Sequence, residues 1–240
     1  MVPDELGKLG NYEFEALIAN MTKKMGYTVE MIPLGQDLGI DIIARKGSES
    51  LAIQVKKYEN RKVNLDIIYH TYGACSYYDC TRAIVATLGT LTPNAEKAAN
   101  KLNVDIWNST FIKTQLGQVQ PNNLPQINKD REHFYQLWDN HFKTLEGRRI
   151  KHLTKDTYIL IRTVDEDGIC EISSNNKERF FPIYIFKWAV AELSNKGNIT
   201  RSDINDEYKK RGSSAISAIL STLPNVSIDF SKRPIALTWK

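Results

Sequence analysis

The sequence predicts two domains: an α/β domain with a mixed sheet flanked by helices, and after it a smaller α+β domain. From Asn11 to Asn108 strand and helix patterns alternate, which is typical of an α/β layer with some parallel strand pairs. A polar segment with two prolines, residues 115–130, interrupts this alternation. After this segment the strand and helix patterns fall in separate runs, which indicates a second fold class.

The first half opens with an amphipathic helix followed by three strands. Phe14, Ile18 and Met21 belong to an apolar set at helical spacing within residues 11–26, and Gly26 ends the pattern. Three short runs then predict strands, at residues 27–33, 39–45 and 51–58.

The rest of the first half continues the alternation. Residues 63–78 have a helical pattern, and a second helix is expected after Thr92, which caps it, with Pro93 at its first position. Two apolar runs predict the remaining strands, at residues 82–89 and 104–108. Strands that alternate with helices in this way favour parallel pairing.

The second half is predicted to end in a winged-helix-like unit. An amphipathic helix at residues 131–147 connects the halves, and residues 156–173 predict a hairpin that turns at residues 165–168. Three helix patterns and a strand pair follow, at residues 182–197, 200–212, 213–225 and 226–240. This is the element order of a winged helix-turn-helix, and the alternative is a generic small α+β domain. We expect domain boundaries at 1–115, 116–150 for the linker and connecting helix, and 151–240.

Composition favours a globular protein of the cytoplasm with no membrane span. Hydrophobic residues make up 42% and charged residues 25% of the chain, and no apolar run reaches the roughly 18–20 residues of a membrane helix. The first residues lack the apolar core of a signal peptide, and three scattered cysteines suggest a reducing compartment. The net charge of +4 falls entirely in residues 121–240. This charge is a hint of a polyanionic partner, and a solvated surface is the alternative.

Three polar side chains interrupt the strands at residues 39–58. If Gly47 and Ser48 form a two-residue turn, the two strands pair so that Asp41 faces Gln54. Lys56 is then the diagonal neighbour of Asp41, within reach of a long side chain. Strand geometry alone therefore brings the three polar groups together.

Such a cluster can serve phosphodiester chemistry. A carboxylate among apolar side chains is desolvated, and a divalent cation or a neighbouring ammonium relieves the cost. Mg²⁺ is usually held by one or two carboxylates with water and phosphate oxygens, and the Lys56 ammonium can orient water and offset charge on phosphorus. The alternative is a structural ion pair between Asp41 and Lys56 on a half-exposed strand.

The same motifs resemble those of a known family. A Phe-Glu helix, then Gly-Tyr-x-Val, Asp-x-Gly-Ile-Asp and Gln-x-Lys occur in that order over residues 9–110. This pattern resembles the Mrr-like restriction endonuclease branch of the PD-(D/E)xK nuclease superfamily, in which Gln replaces the usual acid before the lysine. Ile40 stands where the superfamily has proline. The resemblance implies a restriction-endonuclease-like mixed sheet in the first domain.

The resemblance also implies roles for individual residues. Asp41 would be the main metal ligand, Lys56 the catalytic lysine and Gln54 the substitute for the second acid, with Mg²⁺ as cofactor. Glu15 would complete the site from the first helix, and a solvated helix acid is the alternative. Asp37 is a weaker candidate for which turn capping serves equally well.

The resemblance predicts an Mg²⁺-dependent DNA endonuclease of restriction type, with modification-dependent DNA as one possible target. Alternatives are a junction-resolving or repair nuclease on the same fold, and a non-catalytic DNA-binding protein with a decayed nuclease fold. A nuclease that cuts both strands of double-stranded DNA needs two active sites, so we expect a homodimer. In the second domain the third helix would face the DNA groove. Candidate DNA contacts there are Arg201, Lys209, Lys210, Arg211, Ser214, Ser217, Lys232 and Arg233.

Overall fold

A computed structural model describes residues 6–36, 38–117, 129–232 and 234–240. The chain divides into two compact units, Met1–Lys129 and Asp130–Lys240. Two residues named from the sequence, Asp37 and Arg233, lie outside the described residues. Every helix within the described ranges is too short or too polar to cross a bilayer.

The first unit contains the alternating elements that the sequence predicts. Its helices are α1 (Asn11–Lys24), α2 (Leu65–Tyr77), α3 (Pro93–Leu102) and α4 (Ser109–Gly117). Its strands are β1 (Thr28–Met31), β2 (Ile42–Lys46), β3 (Glu49–Lys56), β4 (Lys62–Val63), β5 (Arg82–Thr87), β6 (Thr90–Leu91) and β7 (Val104–Trp107). The predicted cap of α3 is present, because the Thr92 side chain accepts a hydrogen bond from the Ala95 amide. Helix α4 and the short strands β4 and β6 were not predicted.

Five of these strands form one mixed sheet in the order β1-β2-β3-β5-β7. Strands β1, β2 and β3 are antiparallel neighbours, whereas β3, β5 and β7 run parallel. The amino end of β2 therefore meets the carboxyl ends of β3 and β5 at one edge of the sheet. Strands β4 and β6 form a separate parallel pair.

Helices cover both faces of the mixed sheet. On one face α1 buries Phe14 and Ile18 in a cluster that includes Ile42 and Ile53. A second cluster on the other face combines residues of β2, β3 and β5 with residues of α2 and α3, among them Ile68. A sheet that is buried on both faces needs strands that are apolar along nearly their whole length. Strand β3 is mostly apolar in this way, and its few polar residues are the exceptions. The predicted mixed sheet flanked by helices is confirmed.

The second unit contains two antiparallel sheets and four helices. Its helices are α5 (Lys129–Asn140), α6 (Ile183–Lys196), α7 (Arg201–Glu207) and α8 (Ser213–Leu220), with a 3₁₀ helix at Phe142–Leu145. Its strands are β8 (Arg149–Lys151), β9 (Tyr158–Asp165), β10 (Gly168–Ile172), β11 (Glu178–Pro182), β12 (Asn198–Thr200), β13 (Val226–Asp229) and β14 (Ala236–Trp239).

The second unit contains the elements that the sequence predicts and also further strands. Strands β8 to β11 form one sheet in the order β11-β10-β9-β8, and Asp165 pairs with Gly168 at the predicted hairpin turn. From α6 onward the order is helix, strand, helix, helix, strand, strand, and the last sheet has the order β12-β14-β13. Three helices and a terminal strand pair are thus present, whereas β8, β11 and β12 were not predicted.

Candidate active site

The hairpin of β2 and β3 carries the candidate catalytic residues in the expected register. Lys46 pairs with Glu49, and the ladder continues to the pair of Ile42 with Ile53. Gly47 has a φ angle of +58°, which a glycine at the first position of a tight hairpin turn adopts without strain. The predicted register is therefore confirmed up to the residue next to Asp41.

Asp41 is anchored to both neighbouring strands at the edge of the sheet. Its amide donates to the Ile53 carbonyl at 2.9 Å, and its carbonyl accepts from the Ile32 amide at 2.9 Å. One carboxylate oxygen, Oδ2, accepts the backbone N–H of Val55 at 2.8 Å. The residue is only 1% exposed. These bonds fix the carboxylate at the amino end of β2.

Gln54 and Asp41 are in direct contact. The Gln54 Nε2 group donates a hydrogen bond to Asp41 Oδ2, so this oxygen has two donors. Lys56 follows two residues later, and alternation along β3 places it on the same face of the sheet as Gln54. Both side chains are half-buried. The three residues that the sequence grouped by register therefore lie at one edge of the sheet, beside the end of β5, where Lys56 pairs with Thr87.

Glu15 approaches the same strands from helix α1. Its neighbours Phe14 and Ile18 pack in the cluster that contains Ile53 and Val55, so α1 covers the face of the hairpin opposite to Gln54 and Lys56, which alternate with those two residues. Glu15 is buried within this helix. The alternative of a solvated helix acid is excluded by this burial.

The oxygen groups of this region fit a hard divalent cation. Asp41 and Glu15 are buried carboxylates, and the Gln54 amide oxygen is a further donor of the type that Mg²⁺ accepts. Among the described residues no three His, Cys, Asp or Glu side chains converge as a potential metal site. Asp41 and the Gln54 amide are in direct contact and carry oxygen atoms of the kind that Mg²⁺ accepts.

Residues 57–62, which follow Lys56, form a short basic segment that is held close to the edge of the sheet. Lys57 forms an ion pair with Glu59 at 3.2 Å, and the Arg61 guanidinium lies 5.1 Å from the centre of the Tyr58 ring. Tyr58 is buried, and Lys62 pairs with Thr90 in the β4–β6 ladder. Sequence reasoning missed this segment, although the cations that directly follow the Gln-x-Lys motif are a signal that could have found it.

Gly89 lets this basic segment approach the end of β5. A Cβ at position 89 would lie 2.5 Å from the Arg61 carbonyl oxygen and 3.0 Å from Tyr58 Cβ. Any larger residue would have to displace backbone, which cannot yield as a flexible side chain can. The segment therefore packs closely against the backbone that follows β5.

The basic candidates in the second unit are exposed. Arg201 begins α7, and its Nε donates to Ser213 Oγ at 3.2 Å. Lys209, Lys210 and Arg211 form the turn between α7 and α8, and Lys209 lies 3.9 Å from Asp206. Lys232 is exposed in the loop between β13 and β14.

The serine candidates on α8 are less exposed than the basic candidates. Ser217 is 4% exposed, and its hydroxyl donates to the Ser213 carbonyl at 2.8 Å. Ser214 is half-buried and shares a hydrogen bond of 3.0 Å with Nδ1 of His152, whose pKa is lowered by burial. All other residues of α8 are buried. Ser217 therefore lies inside the unit, which corrects its assignment to a DNA-facing surface, and α8 does not present the open face expected of a groove-reading helix.

The family comparison agrees with the motifs. The family model Mrr_cat, which describes a restriction endonuclease, matches residues 6–114. This range contains Glu15, Asp41, Gln54 and Lys56 and ends within α4. The Mrr-like resemblance is thereby confirmed for the first unit, and the match supports a nuclease of restriction type. No curated protein gives a significant match to the chain.

Three solved structures are similar to part of the chain. A protein of unknown function, AF1548, has 16% identity and a TM-score of 0.41, and the similarity covers 51% of this chain and 75% of that one. The DNA modification-dependent restriction endonuclease AspBHI has 16% identity and a TM-score of 0.36, over 44% of this chain and 30% of its own. The MspJI restriction endonuclease, in complex with a 27-mer oligonucleotide, has 15% identity and a TM-score of 0.36, over 46% of this chain and 29% of its own.

Proposed function

We propose, from the premise that residues 6–114 are an Mrr-like restriction endonuclease domain, that the protein is an Mg²⁺-dependent endonuclease that hydrolyses phosphodiester bonds of double-stranded DNA. The observation that carries the proposal is the contact of Gln54 with the buried, anchored carboxylate of Asp41. Lys56 stands on the same face of β3, at the edge where the basic segment begins.

Each residue has a distinct role in the proposed reaction. Asp41 and Glu15 would hold Mg²⁺, and Gln54 would keep the Asp41 carboxylate oriented and add an amide oxygen. Bound Mg²⁺ supplies a water of lowered pKa and offsets charge on the scissile phosphate. The Lys56 ammonium would orient the attacking water and stabilise the negative charge that develops on phosphorus. Gln54 and Lys56 are only half-buried at this edge of the sheet, so we place the scissile phosphate beside them.

The basic segment after Lys56 supports DNA binding beside the reactive groups. Arg61 and Lys62 are exposed, and the β4–β6 ladder and Gly89 keep their backbone close to the end of β5. Phosphate contacts of this kind fix the register of a duplex and carry no sequence information. We propose that they hold the DNA backbone on both sides of the scissile phosphate.

Within the second unit, residues 151–240 are proposed as a winged-helix-like DNA-binding domain, and residues 1–115 as the catalytic domain. Residues 116–150 lie between them in sequence, and the α5 and 3₁₀ helices of that stretch belong to the second unit. Its element order from α6 to β14 supports this assignment. Because α8 is buried, we place the DNA contacts on Arg201, on the basic turn at Lys209–Arg211 and on Lys232. Ser214 and Arg233 stay candidates from the sequence.

A homodimer would supply the two active sites that a double-strand cut requires. A cytoplasmic location and a preference for modified DNA also belong to the proposal. The modification preference has a direct test, in which plasmids grown with and without each methyltransferase are incubated with the protein in Mg²⁺ or in EDTA. Cleavage of one plasmid preparation alone would establish the dependence.

Lys56→Ala is the decisive variant for the proposed reaction. We expect cleavage to fall by two to four orders of magnitude, roughly the contribution of a positioned catalytic group. DNA binding should be retained, because the neighbouring cations are intact. The matched control is Lys97→Ala, which removes one charge from the exposed side of α3. Full activity of Lys56→Ala would refute the mechanism, and cleavage of four-way junctions but not linear duplex would favour a junction-resolving nuclease.

A further inference from the structure

Helix α2 presents an exposed aromatic face. Tyr69, Tyr72 and Tyr77 are 52%, 44% and 68% exposed, whereas Ile68 and Ala74 on the opposite side pack on the sheet. Exposed apolar groups that are adjacent mark interaction surfaces on soluble proteins. Three such tyrosines within a helix of 13 residues therefore need a partner that covers them.

Leu38 extends this face beyond the helix. Its side chain is exposed, and the next residue, Gly39, lies so close to α2 that a Cβ there would be 3.1 Å from His70 Cβ. A hydrogen bond from the Tyr78 hydroxyl to the Gln36 carbonyl at 2.6 Å also ties this loop to the end of α2. The described loop residues are thus held against α2. We group Leu38 with the exposed helix residues as one surface, which we call the α2 face: Leu38, Tyr69, Tyr72, Gly73 and Tyr77.

Gly73 stands midway between two of the tyrosines. Tyr69, Gly73 and Tyr77 follow each other at intervals of four residues, so they lie along one row of the helix. Gly73 is exposed, and none of the described residues has an atom within 4 Å of the place where its Cβ would be. A glycine inside a helix destabilises it relative to alanine, and neither its helical backbone nor a close neighbour within the unit requires glycine here. Close approach of another backbone would require it.

The chemistry of the α2 face points to protein and not to DNA. The helix contains no Lys or Arg, and its one acid, Asp66, lies in the first turn. A DNA-binding surface neutralises phosphates with basic side chains, which this helix does not offer. Tyrosine, by contrast, is enriched at protein interfaces, where its ring is buried and its hydroxyl finds a partner.

The spacing around Gly73 fits a second copy of the same chain. If two α2 helices cross in opposite directions at Gly73, a two-fold axis through that point places Tyr69 of each copy against Tyr77 of the other. Such self-complementarity is the requirement of an isologous dimer interface. Rows four residues apart pack into each other at a crossing angle of about −50°.

The area available indicates a weak dimer. An aromatic side chain offers about 150–250 Å², so the half-exposed residues of the α2 face supply on the order of 400 Å² per copy. A standard stable interface buries about 800 Å² per partner. The face would therefore form the centre of an interface that is completed when DNA brings two copies together, because a shared ligand raises their effective concentration.

We propose that the α2 face is a homodimer interface in which two α2 helices cross at Gly73. This interface would hold together the dimer that is proposed above for double-strand cleavage. Only the purpose of the dimer rests on that proposed function. Its evidence, the exposed tyrosines and the open glycine, is independent of the catalytic residues.

Gly73→Ala tests the crossing because it should have opposite effects on the stability of one copy and on the affinity of the dimer. In a single copy the added methyl group meets nothing, and alanine favours the helix, so the thermal midpoint should stay constant or rise. At the crossing the methyl groups of the two copies would collide, so the dissociation constant of the dimer should rise about tenfold or more. Sedimentation of the full chain over a concentration series, alone and on duplex DNA in EDTA, measures the dimer. An unchanged dissociation constant would overturn the proposal, as would a wild-type protein that stays monomeric on DNA.

Gly73→Cys gives a second measurement that does not depend on affinity. Two cysteines at a two-fold crossing lie close enough to form a disulfide, so oxidation should give a covalent dimer. The controls are the wild-type protein, which keeps Cys75, Cys80 and Cys170, and Lys97→Cys on the exposed side of α3. Equal cross-linking of Lys97→Cys and Gly73→Cys would overturn the proposal. A dimer without nuclease activity would refute the proposed function alone, and a nuclease that acts as a monomer would refute the interface alone.

Discussion

Gln54 donates a hydrogen bond to the same carboxylate oxygen of Asp41 that accepts the backbone N–H of Val55. The position next to the anchored carboxylate, which an acid occupies in most of the superfamily, is thus filled by an amide. An amide stabilises the charged form of its neighbour, whereas a second acid would raise the pKa of one of the two. With an amide at this position the site carries one negative charge fewer than it would with a second acid, and the contact fixes the orientation of the Asp41 carboxylate.

Gln54→Glu should make the protein depend on Mg²⁺ for stability. In EDTA the new carboxylate repels Asp41 and removes a donor, which we expect to cost about 1–3 kcal/mol of unfolding free energy. Mg²⁺ can bridge the two acids, so it should raise the thermal midpoint of this variant by more than that of the wild type. Thermal denaturation with Mg²⁺ and with EDTA measures both effects.

Gln54→Met is the matched control for this prediction. It removes the same donor and adds no charge, so a loss of stability is expected without any added response to Mg²⁺. If the Gln54→Glu and Gln54→Met variants respond equally to Mg²⁺, the added carboxylate does not take part in metal binding.

The hairpin of the site could be predicted from local chemistry. Gly47 and Ser48 set the turn, the turn set the register, and the register brought Asp41 to Gln54. The burial of Glu15 could not be predicted from the turn and the strand register, because it depends on where α1 lies across the sheet. The same holds for Gly89, whose neighbour Arg61 is distant in the sequence.

In the second unit, the polarity of the α8 serines led to a wrong prediction of exposure. The serines of α8 form a polar row in the sequence, which predicted an exposed face. Ser217 is buried nevertheless, since its hydroxyl is satisfied by the carbonyl of Ser213 within the same helix. A short side chain that bonds its own helix carries no reliable signal of exposure. Strand β8, which packs on α8, was absent from the sequence prediction as well.

Gly89→Ala should displace the basic segment. The new Cβ would lie 2.5 Å from the Arg61 carbonyl oxygen, and backbone would have to move. Overpacking of this kind costs about 1–3 kcal/mol, and we also expect slower DNA cleavage, because Arg61 shifts relative to Lys56. Urea unfolding and single-turnover cleavage measure the two effects. Gly117→Ala, where no described residue lies within 4 Å, should lower neither, and an equal loss in both variants would contradict the role of the segment.

Removal of the basic turn in the second unit should reduce the salt dependence of DNA binding. Each phosphate contact contributes about 0.9 to the slope of log affinity against log salt concentration. The Lys209→Ala, Lys210→Ala, Arg211→Ala triple variant should therefore lower the slope by roughly 2–3. Fluorescence anisotropy over a salt series measures it.

The control for the basic turn removes three cations that already have acidic partners. Lys143, Lys151 and Lys196 form ion pairs with Asp139, Asp156 and Glu192. Their combined replacement by alanine changes the net charge of the protein by the same amount as the other triple variant. A similar fall in slope for both variants would mean that net charge alone determines binding and that the turn makes no phosphate contacts.

Arg179→Ala should severely destabilise the second unit. Glu171 is fully buried, its Oε1 accepts from Arg179 Nε, and its Oε2 has no hydrogen-bond partner in the part of the chain that the structure describes. Loss of the partner of a buried charge costs about 3–5 kcal/mol. Addition of Glu171→Gln to this variant removes the charge and should restore part of the stability, as measured by urea unfolding. A double variant no more stable than Arg179→Ala would show that the buried charge is not the cause.

The same carboxyl should make stability depend on pH in a recognisable way. Burial raises the pKa of Glu171 above its usual value of 4.5, and Arg179 opposes this increase. Because the pKa is higher in the folded state, the stabilising contribution is complete below the unfolded pKa and is lost as pH rises through the folded one. Glu171→Gln cannot titrate, so its stability relative to wild type should increase between about pH 4.5 and neutrality. Unfolding free energies of both proteins over this range measure the difference, and a constant difference would mean that Glu171 stays charged throughout.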